Sequence, residues 1–226
     1  MPDVFLPLPR RPAITWGRFT RFIIVLAVIA PAFFLVQPYE VGMMRLPGEV
    51  MPPKEGGFLE QVIIGFKNFA QILTIIIVTI IVASYDSRRK WIIAAVWLAQ
   101  TLAMVSYNIP KRTIARLRPF AAAEASGEMA KVNIAETWKG WQPGETEFNT
   151  RSFPSGHSAA AFALAGVLSP FYRRLRWALW ILAVGTAVTR YLNEVHWPSD
   201  CLAGATLGYV CAWIALWICL PRAPRS

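Results

Sequence analysis

The side chains best suited to proton and phosphoryl transfer lie in two short segments of this chain. His157 ends the segment Pro154–His157, and His196 begins the segment His196–Asp200. These are the two histidines of the chain. Histidine titrates near neutral pH, and its ring can also act as a nucleophile. We therefore expect both histidines to serve chemistry.

Basic residues near these segments are suited to holding a phosphoryl group. Arginine matches phosphate because its planar fork donates two parallel hydrogen bonds. The backbone N–H groups at the start of a helix also bind anions, and Gly156 would let the backbone approach closely. The residues predicted to contact phosphate are Lys111, Arg118, Ser155, Gly156 and Arg190.

The second histidine segment predicts an oriented nucleophile. If a helix begins near His196, then Asp200, four residues later, lies on the same face. Asp200 can then accept a hydrogen bond from one ring nitrogen and leave the other to attack phosphorus. Pro198 is compatible with the first turn of such a helix. His157 is the natural general acid for the departing oxygen.

Three motifs, in order, resemble the signatures of the type 2 phosphatidic acid phosphatase superfamily. They are Lys-x6-Arg-Pro at Lys111–Pro119, Pro-Ser-Gly-His at Pro154–His157, and Arg-x5-His-x3-Asp at Arg190–Asp200. The resemblance implies a six-helix membrane enzyme that dephosphorylates lipids with no cofactor and no metal. It assigns a phosphohistidine intermediate to His196, and it agrees with the roles given above to the other motif residues.

The composition indicates a membrane protein. Hydrophobic residues make up 55% of the 226 residues and charged residues only 16%, against about 25% charged in soluble domains. Several uncharged stretches are long enough to cross a bilayer as helices. We predict an all-α fold with a single domain over 1–226. The predicted spans are 22–39, 66–85, 91–110, 155–172, 177–193 and 200–220, and the main external loop is 120–152.

The distribution of charge predicts the orientation. With a cytoplasmic N-terminus and alternating spans, the cytoplasmic side receives twelve basic and two acidic residues, which accounts for the whole net charge of +10. This follows the positive-inside rule and argues against nucleic acid as the partner. We therefore expect cytoplasmic termini and an active site at the non-cytoplasmic interface. The short chain favours a bacterial inner membrane, where that face is periplasmic.

Two predicted spans are rich in small residues, around Ser158–Gly166 and Ala203–Gly208. Small residues let membrane helices approach closely, so we expect these spans to pack together and join their N-terminal ends in one site. The cysteines are expected to serve packing. Four further charged residues lie near the motifs. Glu194 is expected to point away from the phosphate, and the extra cations are expected to contact a second phosphate, a headgroup or the lipid surface: Arg112, Arg116 and Arg151.

These features predict a membrane lipid phosphatase acting on undecaprenyl diphosphate, phosphatidylglycerol phosphate, phosphatidic acid or lipid A 1-phosphate. One alternative is a phosphotransferase that passes the phosphoryl group to a lipid or sugar. Another is a vanadium haloperoxidase, which shares the pocket motif but is soluble in its known members. A non-enzymatic scaffold is a fourth, and retention of the whole pocket argues against it. The sequence does not specify the oligomeric state.

Overall fold

The computed structural model describes residues 32–44 and 57–220, together with residues 23 and 27. This part of the chain is mostly helical. Residues 32–36 and 40–44 are α-helical around a short 3-10 turn, and we call 32–44 the N-terminal segment. The later α-helices, labelled α1 to α8 in chain order, are Phe58–Asn68, Ile72–Tyr85, Arg89–Lys111, Pro119–Ser126, Ile134–Thr137, Gly156–Leu168, Arg176–Leu192 and Pro198–Cys219.

The expectation of an all-α chain is wrong in one detail, because two short strands are present. Strand β1 (Ile114–Arg116) pairs antiparallel with β2 (Trp138–Trp141), with Ala115 opposite Gly140. The predicted loop 120–152 therefore contains most of α4, a 3-10 turn at Met129–Lys131, α5 and β2. Buried backbone N–H and C=O groups need partners, and this pairing supplies some of them for the largely buried strand β1.

The two helices rich in small residues pack against each other, as the sequence predicts. A Cβ atom added to Gly204 of α8 would lie 2.2 Å from the carbonyl oxygen of Ser155. One added to Gly208 would lie 2.1 Å from the carbonyl oxygen of Ala159, at the start of α6. The two backbones are thus too close for any larger residue at these positions. Cys201 and Cys211 are buried in the same helix, where they fill space.

Part of the predicted membrane topology can be compared with the described helices. Helices α3 and α8 are long and apolar enough to cross a bilayer. The predicted span 66–85 is interrupted between Asn68 and Ile72, and the two helices on either side meet at a bend of 62°. The six-span count stays a prediction. Residues 1–21, most of the predicted span 22–39, and residues 221–226 lie outside the described residues.

Candidate active site

The site forms where the N-terminal ends of α6 and α8 meet. The Ser155 amide donates a hydrogen bond to the carbonyl oxygen of Asp200 at 3.0 Å, which fixes one helix start against the other. Ser155 is the N-cap of α6, and its hydroxyl accepts from the amide and the hydroxyl of Ser158. His157 is the second residue of α6, so this junction brings His157 and Asp200 into one region.

His196 and Asp200 lie side by side, as their spacing predicts. Pro198 occupies the first turn of α8, and His196 lies just before that helix. The Nδ1 atom of His196 is 3.8 Å from Oδ2 of Asp200. This is longer than a hydrogen bond, and within the described residues Nδ1 has no hydrogen-bond partner. Catalytic hydrogen bonds often shorten only when substrate binds, so a small ring rotation would complete the pair.

The electrostatics of His196 favour a neutral imidazole. Burial lowers the pKa of His196 to about 3, and the nearby Lys111 and Arg118 add to this effect while Asp200 opposes it. Only 2% of the residue is exposed. A neutral ring keeps one nitrogen lone pair available near neutral pH, which is what a nucleophile requires.

This buried neutral histidine predicts a pH dependence of stability. An unfolded histidine has a pKa of about 6.5, so below that pH the unfolded chain binds a proton that the folded chain excludes. The contribution is fully present above pH 6.5 and is lost as the pH falls toward the folded pKa of about 3. Between pH 7 and pH 5 it costs about 2 kcal/mol of unfolding free energy.

Melting temperatures of the detergent-solubilised protein at these two pH values test this point. The wild type should lose more stability on acidification than His196→Gln, which retains every other titrating group. Equal losses in the two proteins would show that His196 is not a buried neutral base.

The carboxylate of Asp200 is fully buried and accepts several hydrogen bonds besides its contact with His196. Its Oδ2 atom accepts from the Ser152 hydroxyl at 2.5 Å and from the Trp197 amide at 3.0 Å. Its Oδ1 atom accepts from Arg116 at 2.5 Å. These bonds fix the orientation of the carboxylate and favour its ionised form.

The expectations for Arg116 are wrong. The residue is fully buried rather than facing a second phosphate, a headgroup or the lipid surface. It lies in β1, and the pairing of this strand with β2 places the guanidinium 4.3 Å from the ring centre of Trp138. Its charge is used internally, in ion pairs with Glu40 and Asp200. Arg112, by contrast, is exposed.

Several cations surround the space beside the two histidines. Lys111, the last residue of α3, donates to the Pro154 carbonyl at 3.2 Å and so lies against the second motif. The Nε atoms of Arg151 and Arg190 are buried and have no hydrogen-bond partner in the described part of the chain. Unpaired buried N–H groups are costly unless a ligand satisfies them. The arrangement therefore suits an anion.

Four basic residues act electrostatically on the His157 ring. They are Arg190, Lys67, Lys111 and Arg118. Lys67 lies in α1, outside the three motifs, and no motif pattern predicts that it approaches the site. Its position brings the helix bend near Asn68 into the surroundings of the pocket.

Arg118 is tied to the protein backbone as well as facing the site. Its three nitrogens donate to the carbonyl oxygens of Phe148, Val195 and Arg151 at 2.7, 2.7 and 3.2 Å. One N–H on each terminal nitrogen is still available for phosphate. Burial lowers the pKa of Arg118 to about 10, so it keeps its charge. The assignment of Arg118 to phosphate binding stays a prediction. Its hydrogen bonds to the backbone also hold separate segments of the chain together.

The backbone amides at the start of α6 differ in whether they are available to bind an anion. Ser155 uses its amide on Asp200, whereas the amides of Gly156 and His157 have no protein acceptor among the described residues. A Cβ atom added to Gly156 would lie 3.0 Å from the Tyr107 ring, so this position is sterically restricted. Two open amides remain for an anion, and the assignment of Ser155 to phosphate stays a prediction.

The connection from α7 to α8 presents His196 to the site. Glu194 has a positive φ of 54°, an uncommon conformation for a residue other than glycine. The amide of Val195 then donates to the carbonyl oxygen of Arg190, which closes the turn. Glu194 is half-buried, and burial raises its pKa.

In the described residues, no group of three or more His, Cys, Asp or Glu side chains could hold a metal ion.

The model of the PAP2 superfamily matches residues 89–223, which is more than half of the chain and contains all three motifs. The chain belongs to the PAP2 superfamily. The resemblance predicted from the three motifs is therefore confirmed.

Several PAP2 relatives carry names of lipid phosphatases. A lipid A 1-phosphatase of Porphyromonas gingivalis is 39% identical over 30% of this chain and 16% of its own length. An undecaprenyl-diphosphatase of Sulfolobus acidocaldarius is 30% identical over 61% of this chain and 58% of its own length. The chain thus matches less than two thirds of the length of these curated relatives.

A solved PAP2 structure shows the same fold. The transmembrane phosphatidylglycerolphosphate phosphatase of Bacillus subtilis superimposes with a TM-score of 0.56 at 18% identity, covering 87% of this chain and 92% of that one. The fold is thus that of a membrane PAP2 protein.

The PAP2 motifs account for part of the site, and the structure adds residues outside them. Ser152 and Arg151 lie two and three residues before the second motif, and Arg116 lies inside the first at a position that the motif pattern leaves undefined. Glu40 is far from all three motifs in sequence. Arg116 could have been singled out in the sequence because it lies between two defined residues of the first motif. No feature of the sequence indicates that Glu40 belongs to the site.

Proposed function

We propose that this chain is an integral-membrane lipid phosphatase that hydrolyses phosphate or diphosphate monoesters of lipids. The observation that carries the proposal is the meeting of the His196–Asp200 pair with the start of α6 inside a group of partly unpaired cations. Phosphoryl transfer requires positioning and charge stabilisation above all. The names of the PAP2 relatives support lipid phosphates as substrates.

The reaction proceeds by two displacements at phosphorus. The Nε2 atom of His196 attacks phosphorus, and the bond from phosphorus to the lipid oxygen breaks as His157 donates a proton to that oxygen. The phosphorylated ring keeps its proton on Nδ1 and carries a positive charge, which Asp200 stabilises. Water then attacks phosphorus and gives its proton to His157. The N–P bond breaks, which releases phosphate and restores neutral His196.

Lys111, Arg190 and Arg118 hold the phosphoryl oxygens, together with the open amides of Gly156 and His157. These charges are preorganised in a largely buried site, where they act more strongly than in water. We place the site at the non-cytoplasmic end of a six-span bundle, with the lipid tails in the bilayer. The balance of charged residues on the two sides of the predicted spans supports this orientation.

The general-acid role of His157 predicts a dependence on the leaving group. His157→Ala should lower kcat for alkyl phosphates such as lipid substrates by roughly 100- to 10,000-fold. Activated aryl phosphates need little protonation of the leaving oxygen, so their first step should lose much less. Values of kcat/KM, which report the first displacement, for a series of phosphate esters of graded leaving-group pKa measure this difference. Equal losses across the series would contradict the assignment.

The function itself is tested by phosphate release from purified protein with EDTA present. The panel comprises phosphatidic acid, phosphatidylglycerol phosphate, undecaprenyl diphosphate and lipid A, and His196→Ala is the matched control. Release by the wild type alone supports a metal-independent lipid phosphatase, and the preferred lipid identifies the substrate. Full loss in EDTA that one cation reverses would contradict metal independence. Transfer of labelled phosphate to an added lipid or sugar, without free phosphate, would support the phosphotransferase instead.

A further inference from the structure

A fully buried group of charged residues lies behind the catalytic pair. Glu40, Arg116 and Asp200 each have 0% exposure, and we call these three the buried charge cluster. They come from three separate elements: the N-terminal segment, β1 and the first turn of α8. Buried charges are costly unless they are paired and hydrogen-bonded. Their contacts therefore need an explanation in terms of function as well as folding.

Arg116 is the centre of this cluster. One terminal nitrogen donates to Oδ1 of Asp200 at 2.5 Å and to the Ser199 hydroxyl at 2.7 Å. The other donates to Oε2 of Glu40 at 2.6 Å. The guanidinium also lies near the rings of Trp138 and Trp197, at 4.3 and 5.4 Å from the ring centres. These contacts hold the fork in one orientation, which in turn fixes the Asp200 carboxylate.

Glu40 binds the other side of Arg116 and also the start of α8. Its second oxygen, Oε1, accepts from the amide of Ser199 at 2.7 Å. Both oxygens of Glu40 thus accept hydrogen bonds from N–H donors. Burial raises the pKa of Glu40, and the charge of Arg116 and the hydrogen bonds from Ser199 oppose this effect. The N-terminal segment, which carries none of the three motifs, is in this way connected to the helix turn that carries Asp200.

We propose that Glu40 and Arg116 are positioning residues for phosphoryl transfer: they orient Asp200 and leave it a net negative charge for His196. The proposal rests on the catalytic roles given above to His196 and Asp200. With Glu40 absent, the charge of Arg116 would neutralise Asp200, and the pair would give little support to a positive ring. With Glu40 present, the cluster carries one net negative charge. That charge stabilises the phosphorylated His196 ring, which is cationic.

The test is a double-mutant cycle between Glu40→Gln and Asp200→Asn, measured as kcat and KM on the best lipid of the panel. Glu40→Gln alone should lower kcat roughly 10- to 100-fold and change KM less than about threefold, because Glu40 does not touch substrate. In the Asp200→Asn background, the same change should lower kcat by a clearly smaller factor, because no carboxylate is left to orient and only the change in net charge beside His196 remains. Arg116→Lys, which keeps the charge but cannot bridge both carboxylates, should behave as Glu40→Gln does.

Two exposed residues supply matched controls. Glu124→Gln and Arg174→Lys make the same chemical changes at exposed positions and should leave kcat and KM unchanged. A merely structural role for Glu40 predicts losses that multiply with those of Asp200→Asn, or losses in folded protein alone at unchanged kcat. Either result would overturn the proposal, and so would an unchanged kcat in Glu40→Gln.

The cycle also separates this proposal from the function on which it rests. If Asp200→Asn has full activity, the catalytic assignment fails; if Asp200→Asn is slow and Glu40→Gln is not, only the positioning role fails. Should Glu40→Gln not fold in detergent, Glu40→Asp takes its place, because it keeps the charge and shortens the reach. It should lose less kcat than Arg116→Lys, and it should cause no further loss in the Asp200→Asn background because the net charge is unchanged. Multiplied losses would overturn the proposal.

Discussion

Replacement of His196 by alanine is expected to lower kcat by about 10,000-fold or more, because the variant has no nucleophile and the residual rate comes from binding alone. The His196 side chain is almost fully buried and lies beside Asp200. No other described side chain occupies this position, so none can replace His196 as the nucleophile. Phosphate release from the preferred lipid, under saturating substrate, measures the loss.

Substrate binding should largely survive this change, since the cations of the pocket are intact. Inorganic phosphate should therefore still raise the melting temperature of His196→Ala. Asn193→Ala, at the exposed end of α7, is the matched control and should retain full activity. Turnover of His196→Ala within tenfold of the wild type would remove His196 as the nucleophile.

Replacement of Asp200 by asparagine is expected to lower kcat roughly 1,000- to 10,000-fold. The amide has no charge to stabilise the phosphorylated ring, and it can stabilise the wrong tautomer of His196. It also turns an N–H group toward either the Trp197 amide or Arg116, both of which are donors. An unmade hydrogen bond of this kind costs about 1–3 kcal/mol of stability.

Steady-state kinetics and thermal unfolding of Asp200→Asn separate the two effects. The loss in kcat should persist at temperatures far below the melting point of the variant. Asp200→Glu keeps the charge and serves as a second comparison, with an expected activity between that of Asp200→Asn and the wild type. A loss smaller than tenfold in Asp200→Asn would contradict its role beside His196.

The sequence predicts the catalytic pair and the junction of α6 with α8 because both depend on local rules. Four-residue spacing places His196 and Asp200 together at a helix start. The small residues of the two helices allow their backbones to pack closely. Gly204 and Gly208 contact the backbone at the start of α6, as expected. Residue type and spacing are enough for these features.

Other features depend on contacts that no local pattern encodes. Arg116 meets Glu40 across 76 residues of sequence and Asp200 across 84. The strand pairing that buries Arg116 lies in a segment whose composition suggests a polar loop. The break between Asn68 and Ile72 falls where an uncharged run begins, with neither proline nor glycine at residues 68–72 to predict it. Tertiary packing determines all three.

The most direct test of the central claim is the stereochemistry of hydrolysis at phosphorus. A phosphorothioate monoester made chiral with oxygen isotopes is hydrolysed in isotopically labelled water, and the configuration of the released thiophosphate is determined. Two in-line displacements, one by His196 and one by water, predict net retention. Net inversion would mean that water attacks the substrate directly, and it would contradict a phosphohistidine intermediate on this chain.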